Sequence, residues 1–483
     1  MAKVSVQSTP QTEERNAVAP VNRLIYGLND KPPFIEAVLA AMQHVLAIFV
    51  GIITPPLLIA NALKLNPTDT SYVVSMSLFI SGVSTFIQAR KIGPIGSGLL
   101  SIQGTSFSFL VPIISAGTAV VAAGGTPERA LSLIFGLCFF GAFIEIILSR
   151  FLHLVRKIIS PLVTGTIVCV IGLTLIKTGI ISMGGGVAAQ RNGTFGSLQN
   201  IGVATLVLLT IIVLNVSKKP MLRMASVVIG LLVGYAVASV LGMVNFSGLG
   251  NLPLIALPIP FRYGLSFDFA AFVPFILLYI ITTVESIGDL TATSAVSGEP
   301  IKGATYMRRI KGGILGDGVN SLIAALFNTF PNTTFSQNNG VIQITGVGSR
   351  YIGYYIAAIL AFLGLFPIVG GIFQTLPQAV LGGSTIIMFG SIVVAGINIL
   401  SSVELDRRAM VIVGTSLAMG LGVTYTPEIV DALPLAIKNV LSSGISAGGL
   451  TAILLNWLLP YEQKEVLVGQ DDSNADELAE LEA

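Results

Sequence analysis

The chain has 483 residues, of which 53% are apolar and only 10% charged, and its formal net charge is +2. A soluble domain carries about 25% charged residues, so this composition excludes a water-soluble protein of this size and indicates an integral membrane protein. The near-zero net charge, without any basic tract, also argues against nucleic-acid binding.

The N-terminal stretch to Lys31 is polar and lacks the apolar region of a signal peptide.

Candidate membrane spans recur along most of the chain. A spanning helix needs about 20 mostly apolar residues. Three apolar stretches are interrupted by Gly, Pro and hydroxyl residues, at 96–117, 311–330 and 331–348. Together with eleven continuous stretches they predict fourteen spans; the continuous ones are 37–62, 71–89, 130–149, 158–176, 201–216, 224–243, 271–290, 352–370, 378–400, 409–424 and 443–459.

The distribution of Lys and Arg predicts the orientation of these spans. Cytoplasmic loops are enriched in basic residues, and fourteen spans place fifteen of them on the side of the termini against six opposite. Both termini are therefore predicted to be cytoplasmic. The fifteen are Arg90, Lys91, Arg150, Arg156, Lys157, Lys218, Lys219, Arg223, Lys302, Arg308, Arg309, Lys311, Arg350, Arg407 and Arg408. The six are Lys64, Arg129, Lys177, Arg191, Arg262 and Lys438.

Two of the interrupted stretches share a local repeat. The segments 105–108 and 333–336 both have the pattern Thr-(Ser/Thr)-Phe-Ser and lie 228 positions apart. The strings SPLVTG at 160–165 and LPQAVLGG at 376–383 add looser support. This pattern predicts two related halves of seven spans with opposite orientation. Irregular backbone at membrane depth is tolerated only where protein or a water-filled cavity satisfies it, so the paired breaks predict a binding site between the halves.

Few ionisable side chains lie at membrane depth, where each costs at least about 2.5 kcal/mol. Glu285 and Asp289 are one helical turn apart and are expected to face the same cavity or partner. Asp317 and His44 are further candidates, although a lone histidine is more often a packed, hydrogen-bonded residue. A carboxyl group removed from water favours its protonated form, and such behaviour suits proton coupling.

The remaining charged or reactive residues of the apolar runs indicate no further chemistry. Glu145 and Lys177 lie near span ends, from which their head groups can reach the interface. Cys138 and Cys169 offer neither a disulfide framework nor the spacing of a metal site. We therefore expect neither a metal nor a cofactor.

Several motifs resemble those of the nucleobase-ascorbate transporter family. The string QNNGVIQITG at 337–346 matches the family signature (Q/E/P)-N-x-G-x-x-x-x-T-(R/K/G) at every defined position. The resemblance runs from about Pro33 to Pro460, and within the family the chain is most similar to the bacterial xanthine carriers. The other motifs, in order, are Gln43-His44 in the first span, Glu285 and Asp289 in VESIGD, and Asp317 in GGILGDG.

The resemblance implies a fold and a cellular setting. Such proteins are all-α, with fourteen spans in two inverted seven-span repeats and short extended strands in the broken spans 3 and 10. They usually form homodimers, and this one would lie in the bacterial cytoplasmic (inner) membrane. The implied divisions are a cytoplasmic N-terminal tail (1–32), a core domain (33–149 with spans 1–4, and 268–375 with spans 8–11), a gate domain (150–267 with spans 5–7, and 376–460 with spans 12–14) and an acidic cytoplasmic tail (461–483).

The resemblance also implies a transport activity and its site. Members of the family are proton-coupled importers of purines or pyrimidines, and the implied substrate here is xanthine. Motif matching places substrate contacts on Ser106, Phe107, Glu285, Phe335, Ser336 and Gln337. It places the polar network or proton coupling on His44, Glu285, Asp289, Asp317 and Asn338.

These residue types suit a planar, oxo-substituted base. A carboxylate accepts hydrogen bonds from ring N–H groups, a carboxamide pairs with an N–H and a C=O together, and an aromatic ring stacks on the base for about 1 to 3 kcal/mol. Gln337 resembles xanthine or urate carriers, whereas Glu at this position resembles uracil carriers. Ser106 replaces the Asn of some xanthine-selective relatives, which leaves urate and 8-substituted xanthines open.

Four other functions are alternatives to xanthine import. A urate or broader oxopurine permease would share the same motifs. A sulfate-type anion exchanger resembles this fold but normally adds a soluble C-terminal domain, for which the short acidic tail leaves no room. A membrane-embedded enzyme using Glu285 and Asp289 as acid and base lacks an accompanying nucleophile or metal cluster. A channel lacks a charged ring or a carbonyl filter.

Overall fold

The computed structural model describes residues 24–152, 160–244 and 252–459, and these are mostly helical. Most of the predicted N-terminal tail and the whole acidic tail at 461–483 lie outside these residues. The same holds for the loop residues Arg156 and Lys157.

Eighteen α-helices and two short strands form the described part of the chain. Two 3-10 turns, Phe107–Phe109 and Pro427–Val430, accompany them. The strands are β1 (Gln103–Thr105) and β2 (Asn332–Thr334). The helices, in chain order, are α1 (Phe34–Leu63), α2 (Pro67–Arg90), α3 (Leu110–Ala122), α4 (Pro127–Arg150), α5 (Pro161–Met183), α6 (Gly186–Arg191), α7 (Leu198–Asn215), α8 (Pro220–Met224), α9 (Ser226–Val240), α10 (Phe269–Val296), α11 (Gly303–Leu326), α12 (Gln337–Thr345), α13 (Arg350–Gly364), α14 (Pro367–Gln374), α15 (Gln378–Leu400), α16 (Arg407–Tyr425), α17 (Leu435–Leu441) and α18 (Gly444–Leu458).

Many of these helices are long and apolar enough to cross a membrane. Eight of the described helices qualify by length and composition, and the bent pair α13 and α14 makes nine. Three shorter apolar helices accompany them: Phe107–Ala122, α9 and α18. A multi-pass helical membrane protein is thereby confirmed, whereas the count of fourteen spans stays a prediction.

The bend between α13 and α14 differs from the expectation of one continuous span at 352–370. The two helix axes meet at 74°. Helix α13 ends at Gly364, and Pro367 begins α14. Proline has no N–H for an intrahelical hydrogen bond and its ring clashes with the preceding turn, so the chain changes direction at this point.

Local sequence explains where three long helices begin. Asn66, Thr126 and Ser160 each accept a hydrogen bond from the backbone N–H three residues on. A proline follows each of them as the first helical residue, where its missing N–H leaves no donor unsatisfied. These caps set the starts of α2, α4 and α5, and α5 then continues to Met183, beyond the predicted end at 176.

The two interrupted stretches with the local repeat meet inside the protein. Strands β1 and β2 pair in antiparallel fashion, and all their residues are buried. The ladder continues at both ends, because the N–H of Ser106 donates to Pro331 O at 2.8 Å and that of Phe335 to Ile102 O at 2.9 Å. The extended strands predicted in these stretches are confirmed. The opposed residues are Gln103 and Thr334, Gly104 and Thr333, and Thr105 and Asn332.

Helices from the two halves of the chain pack closely against each other. Helix α5 packs along α15, α2 along α13, and α11 along α4. Small residues allow this close approach between membrane helices. A Cβ added at Gly396 of α15 would lie only 2.6 Å from both the backbone N and the Sγ of Cys169 on α5. The contact between α5 and α15 therefore depends on the absence of a side chain at Gly396.

We predict that G396A lowers the thermal stability of the protein by several degrees, because the new methyl group must push α5 away from α15. The matched control is G390A on the same helix, since a Cβ at Gly390 meets nothing within 4 Å and Ala favours a helix over Gly by about 1 kcal/mol. Thermal unfolding of the two purified variants in detergent is the measurement. Equal melting temperatures would contradict the proposed close contact.

Candidate functional site

Helix α10 connects the two broken stretches through one face. Three of its residues, spaced one turn apart, lie on the same side of the helix. Each forms a hydrogen bond with a residue of a broken stretch: Ser108 Oγ donates to Glu285 at 2.9 Å, Thr334 Oγ1 donates to Asp289 at 3.2 Å, and Thr293 Oγ1 donates to Asn339 Oδ1 at 2.8 Å. The first contact is with the stretch around β1 and the other two are with the stretch around β2. Glu285 and Asp289 thus lie on one face of α10, as their spacing predicts, and each bonds to a different broken stretch.

The antiparallel pairing sets the distance between the two sets of predicted contact residues. Ser106 follows the end of β1, and Phe335 follows the end of β2. In an antiparallel pair these ends lie on opposite sides, about 10 Å apart for three residues at roughly 3.3 Å each. Glu285 and Asp289 are separated by about 6 Å of helix rise, so each lies near a different end of the strand pair.

The predicted substrate contacts divide by exposure. Glu285 on α10 is half-buried, and so are Ser336 and Gln337 at the start of α12. Ser106, Phe107 and Phe335 are buried, at 2%, 6% and 8% exposure. Glu285, Ser336 and Gln337 are therefore the predicted contacts that keep the most exposed surface in this conformation.

The two predicted aromatic contacts are packed against protein. The ring of Phe335 lies over the middle of β1, since a Cβ at Gly104 would come within 2.6 Å of Phe335 Cζ. The same ring would lie 2.8 Å from a Cβ at Gly51 of α1. The ring of Phe107 meets that of Phe389 on α15 edge to face, with centroids 5.4 Å apart. Glycine at positions 51 and 104 thus provides the space that Phe335 occupies.

His44 and Asn338 form a buried pair. His44 on α1 is fully buried, and its Nδ1 lies 2.8 Å from Oδ1 of Asn338 on α12. The amide of Asn338 also donates to the backbone oxygen of Phe335 at 3.4 Å. His44 thus takes the packed, hydrogen-bonded position expected of a lone histidine, and it is linked to the stretch around β2.

Asp317 of α11 joins three helices through its hydrogen bonds. Gln88 of α2 donates to this carboxylate at 2.6 Å, and Ser286 of α10 donates to it at 2.5 Å. Gln88 also donates to Gly313 O at 2.8 Å and accepts from the N–H of Ser97 at 2.9 Å. Within the described ranges, no ion pair involves Glu285, Asp289 or Asp317. Neutral hydroxyl and amide groups therefore supply the partners of all three acids.

Two residues of the hydrogen-bond network, Ser108 and Gln88, are not among the predicted site residues. Ser108 donates to Glu285, and it corresponds to Ser336 in the repeated Thr-(Ser/Thr)-Phe-Ser pattern, so the repeat was a signal that could have identified it. Gln88 lies near the end of α2 in a stretch with no motif. Its role becomes visible only once α2 and α11 are in contact.

The expectation that Glu145 and Lys177 reach the interface is wrong for Glu145. Glu145 is only 2% exposed, because its side of α4 packs against α11. The backbones approach closely there: a Cβ added at Gly318 of α11 would lie 2.9 Å from the backbone N of Ile146. Lys177 instead donates to Thr424 O at 2.5 Å, where a cation suits the C-terminal end of α16.

The site does not offer a metal centre in the part of the chain that the structure describes, where no group of three or more His, Cys, Asp and Glu residues is placed to hold an ion. Its chemical capacity lies in hydrogen bonding. Its half-buried carboxylate, hydroxyl and carboxamide groups lie next to the stretches around β1 and β2, where the backbone is not helical.

Known proteins are similar to this chain along most of its length. The family model Xan_ur_permease, described as a permease family, matches residues 35–429. Xanthine permease XanP of Escherichia coli strain K12 is 49% identical over 463 residues, which is 95% of this chain and 99% of that protein. Uric acid permease PucJ of Bacillus subtilis strain 168 is 33% identical over 434 residues, covering 89% and 94% of the two chains.

A solved structure shares the fold at much lower identity. The transmembrane domain of the cyanobacterial bicarbonate transporter BicA aligns with a TM-score of 0.53, at 14% identity. The alignment covers 89% of this chain and 99% of that domain. At this identity the likeness concerns the arrangement of helices.

We predict that Q88L lowers thermal stability markedly, because it leaves the Ser97 N–H without its buried partner and removes the hydrogen bond to one oxygen of the Asp317 carboxylate, which keeps only its bond from Ser286. Loss of one such partner costs about 1 to 3 kcal/mol, and more for a charged group. The control is S81A on the same helix, since the Ser81 hydroxyl is buried without a hydrogen-bond partner among the described atoms. The melting temperatures of both variants in detergent decide the matter: a drop for S81A as large as that for Q88L would remove the special role of Gln88.

Proposed function

The chain belongs to the permease family of nucleobase transporters, and from this premise we propose that it imports xanthine together with protons across the bacterial inner membrane. It is a transporter and not an enzyme, since its named relatives are permeases. The alternative of a membrane-embedded acid–base enzyme is thereby set aside.

The observation that carries this proposal is the row of residues on α10. One helix face bonds to both broken stretches through Glu285, Asp289 and Thr293. Substrate and ion sites of secondary transporters lie where discontinuous helices of two repeats meet. A carboxylate held at this meeting point, half-buried and free of any ion pair in the described ranges, is suited to bind a solute that carries N–H donors.

Recognition of xanthine would use the half-buried polar groups. The Glu285 carboxylate accepts hydrogen bonds from ring N–H groups, and the Gln337 carboxamide pairs with a neighbouring N–H and C=O. Ser336 adds a half-buried hydroxyl group at one end of the strand pair, and Ser106, which is buried in this conformation, would add a second at the other end once the site opens. The rings of Phe107 and Phe335 flank the same region and supply a stacking surface once the substrate displaces one of them.

Proton coupling would use the acids and their neutral partners. Glu285, Asp289 and Asp317 bond to hydroxyl and amide groups. A proton can therefore join or leave a carboxyl group without breaking an ion pair. His44 and Asn338 complete the proposed polar network through their buried contact beside the stretch around β2.

The finer architecture is part of the proposal. The nine candidate spans, the three shorter apolar helices, α11 and the β2–α12 segment would together make fourteen spans in two inverted repeats. The packing of α2 with α13 and of α4 with α11 supports a core domain, and that of α5 with α15 supports a gate domain. The domain limits 33–149 with 268–375, and 150–267 with 376–460, both termini in the cytoplasm and a homodimer complete this proposal.

Urate or another oxopurine is the alternative substrate. A uric acid permease is 33% identical to this chain, against 49% for a xanthine permease, which favours xanthine. The sulfate-type exchanger shares only the arrangement of helices, as the likeness to a bicarbonate transporter at 14% identity illustrates. Membership of the permease family favours a nucleobase over an inorganic anion.

We predict that E285Q reduces uptake of radiolabelled xanthine to background while the protein remains in the membrane at normal abundance. The amide loses one acceptor oxygen and cannot carry a proton. The control is E128Q, at an exposed position in the first turn of α4, which should transport normally. Normal uptake by E285Q would remove Glu285 from the mechanism.

We also predict that a protonophore abolishes uphill uptake of xanthine by the unaltered protein, whereas removal of sodium does not. Uptake that depends on sodium would contradict proton coupling.

We predict that Q337E shifts the order in which unlabelled xanthine, urate, hypoxanthine and uracil compete for uptake of labelled xanthine. A carboxylate lacks the N–H donors of the carboxamide, so a substrate carbonyl that bonds to Gln337 loses its partner, and xanthine should lose about tenfold in apparent affinity for one lost hydrogen bond of roughly 1.4 kcal/mol. An unchanged competition profile at unchanged protein abundance would show that Gln337 does not contact the substrate.

A further inference from the structure

A cavity of about 190 Å³, which we call the basic cavity, is lined by lysine and arginine side chains. Its lining residues come from four separate segments, and none of them is acidic: Leu28, Asn29, Lys91, Ser97, Gly98, Thr305, Arg308, Arg309 and Arg350. All four cations were assigned by the charge distribution to the cytoplasmic side, and the structure brings them together at one point.

Most of this positive charge is not neutralised by neighbouring acids. Arg309 is bonded to Glu299 at 2.6 Å. Within the described residues, no ion pair forms at Lys91, Arg308 or Arg350. In addition, Nε of Arg350 is buried and has no hydrogen-bond partner among the described atoms. Three cationic side chains therefore face a space that contains no protein anion.

Two further kinds of donor belong to the segments that line the same cavity. Helix α11 begins at Gly303 and its N-terminal N–H groups receive no side-chain cap from Lys302. Thr305, in the first turn of this 24-residue helix, is one of the residues that line the cavity and carries a hydroxyl group. Ser97 accepts a hydrogen bond from the N–H of Leu99 at 3.2 Å, which leaves its O–H free to donate. Helix N-termini and hydroxyl groups of this kind are typical partners of phosphate oxygens.

We propose that the basic cavity binds a phosphate group, supplied either by a soluble phosphate or by the headgroup of an anionic lipid. Its volume corresponds to about six molecules of liquid water at roughly 30 Å³ each, enough for a phosphate group with residual water. Arginine and lysine side chains, an uncapped helix start and hydroxyl donors match the charge and the several acceptor oxygens of such a group. The substrate-contact residues predicted around the strand pair are separate from this lining.

Hydrogen bonds connect the wall of the basic cavity to the proposed transport site. The N–H of Ser97 in its wall donates to Gln88, and Gln88 donates to Asp317. The N–H of Arg350 donates to Leu28 O at 3.0 Å, so the same cavity also joins the chain segment that precedes α1 to the start of α13. An anion bound here would hold these segments together.

The test compares two doubly substituted variants of the full chain with the unaltered protein. K91Q/R308Q removes two exposed cations of the cavity, and K219Q/R407Q removes two exposed cations elsewhere on the same predicted side. Thermal unfolding is measured in neutral detergent with inorganic phosphate added at constant ionic strength. It is repeated in nanodiscs of phosphatidylcholine with and without phosphatidylglycerol.

A soluble source predicts that inorganic phosphate raises the melting temperature of the unaltered protein and of K219Q/R407Q, and that K91Q/R308Q requires at least tenfold more phosphate for the same rise. A lipid source predicts the same contrast with phosphatidylglycerol and no response to inorganic phosphate. Both results support the basic cavity. If neither ligand distinguishes K91Q/R308Q from K219Q/R407Q, the proposal is overturned, whatever the outcome of the transport assays.

Discussion

The structure depends on how an interrupted membrane helix satisfies its exposed backbone groups. In hydrocarbon there is no water to bond to a free N–H or C=O, so each break in a spanning helix needs a protein partner. This chain meets the requirement at its two repeated breaks by pairing them with each other, as β1 and β2. The ladder extends to Ser106 and Phe335, and it therefore ends where the predicted substrate contacts begin.

This pairing also fixes which side chains can cooperate. Since β1 and β2 are antiparallel, the segments that follow them leave from opposite ends, and a single helix face must span both. Helix α10 does so because residues four apart share a face and rise by about 6 Å. Glu285 and Asp289 thus each serve one end of the strand pair. The same helix turns Ser286 towards Asp317, which connects the site to α2 and α11.

The choice of partners for the acids suits a transporter. A buried ion pair that loses one charge leaves the other uncompensated, at a cost of about 3 to 5 kcal/mol. Hydroxyl and amide partners avoid this cost, because a hydroxyl group can donate to a carboxylate or accept from a carboxylic acid. The edge-to-face contact of Phe107 with Phe389 joins the stretch around β1 to α15, and in the proposed mechanism this contact would transmit a displacement of α15 to the site.

The sequence by itself determined the class of protein, the repeat of two broken stretches and the family motifs. These features depend on composition, on the length of apolar runs and on residues that are close along the chain, such as the turn-spaced pair Glu285 and Asp289. Helix starts at Asn66, Thr126 and Ser160 are likewise local, since a cap and a proline act within one turn.

Only the tertiary structure decided which distant residues meet. Gln88 becomes the partner of Asp317 because α2 packs against α11. Glu145 becomes buried because α4 also packs against α11. The periodicity of residues along a single helix does not predict these contacts between helices. The burial of Phe335 over Gly104 depends on strand register. The basic cavity likewise exists only where loops far apart in the chain converge, since the packing of their helices sets the distances between their charges.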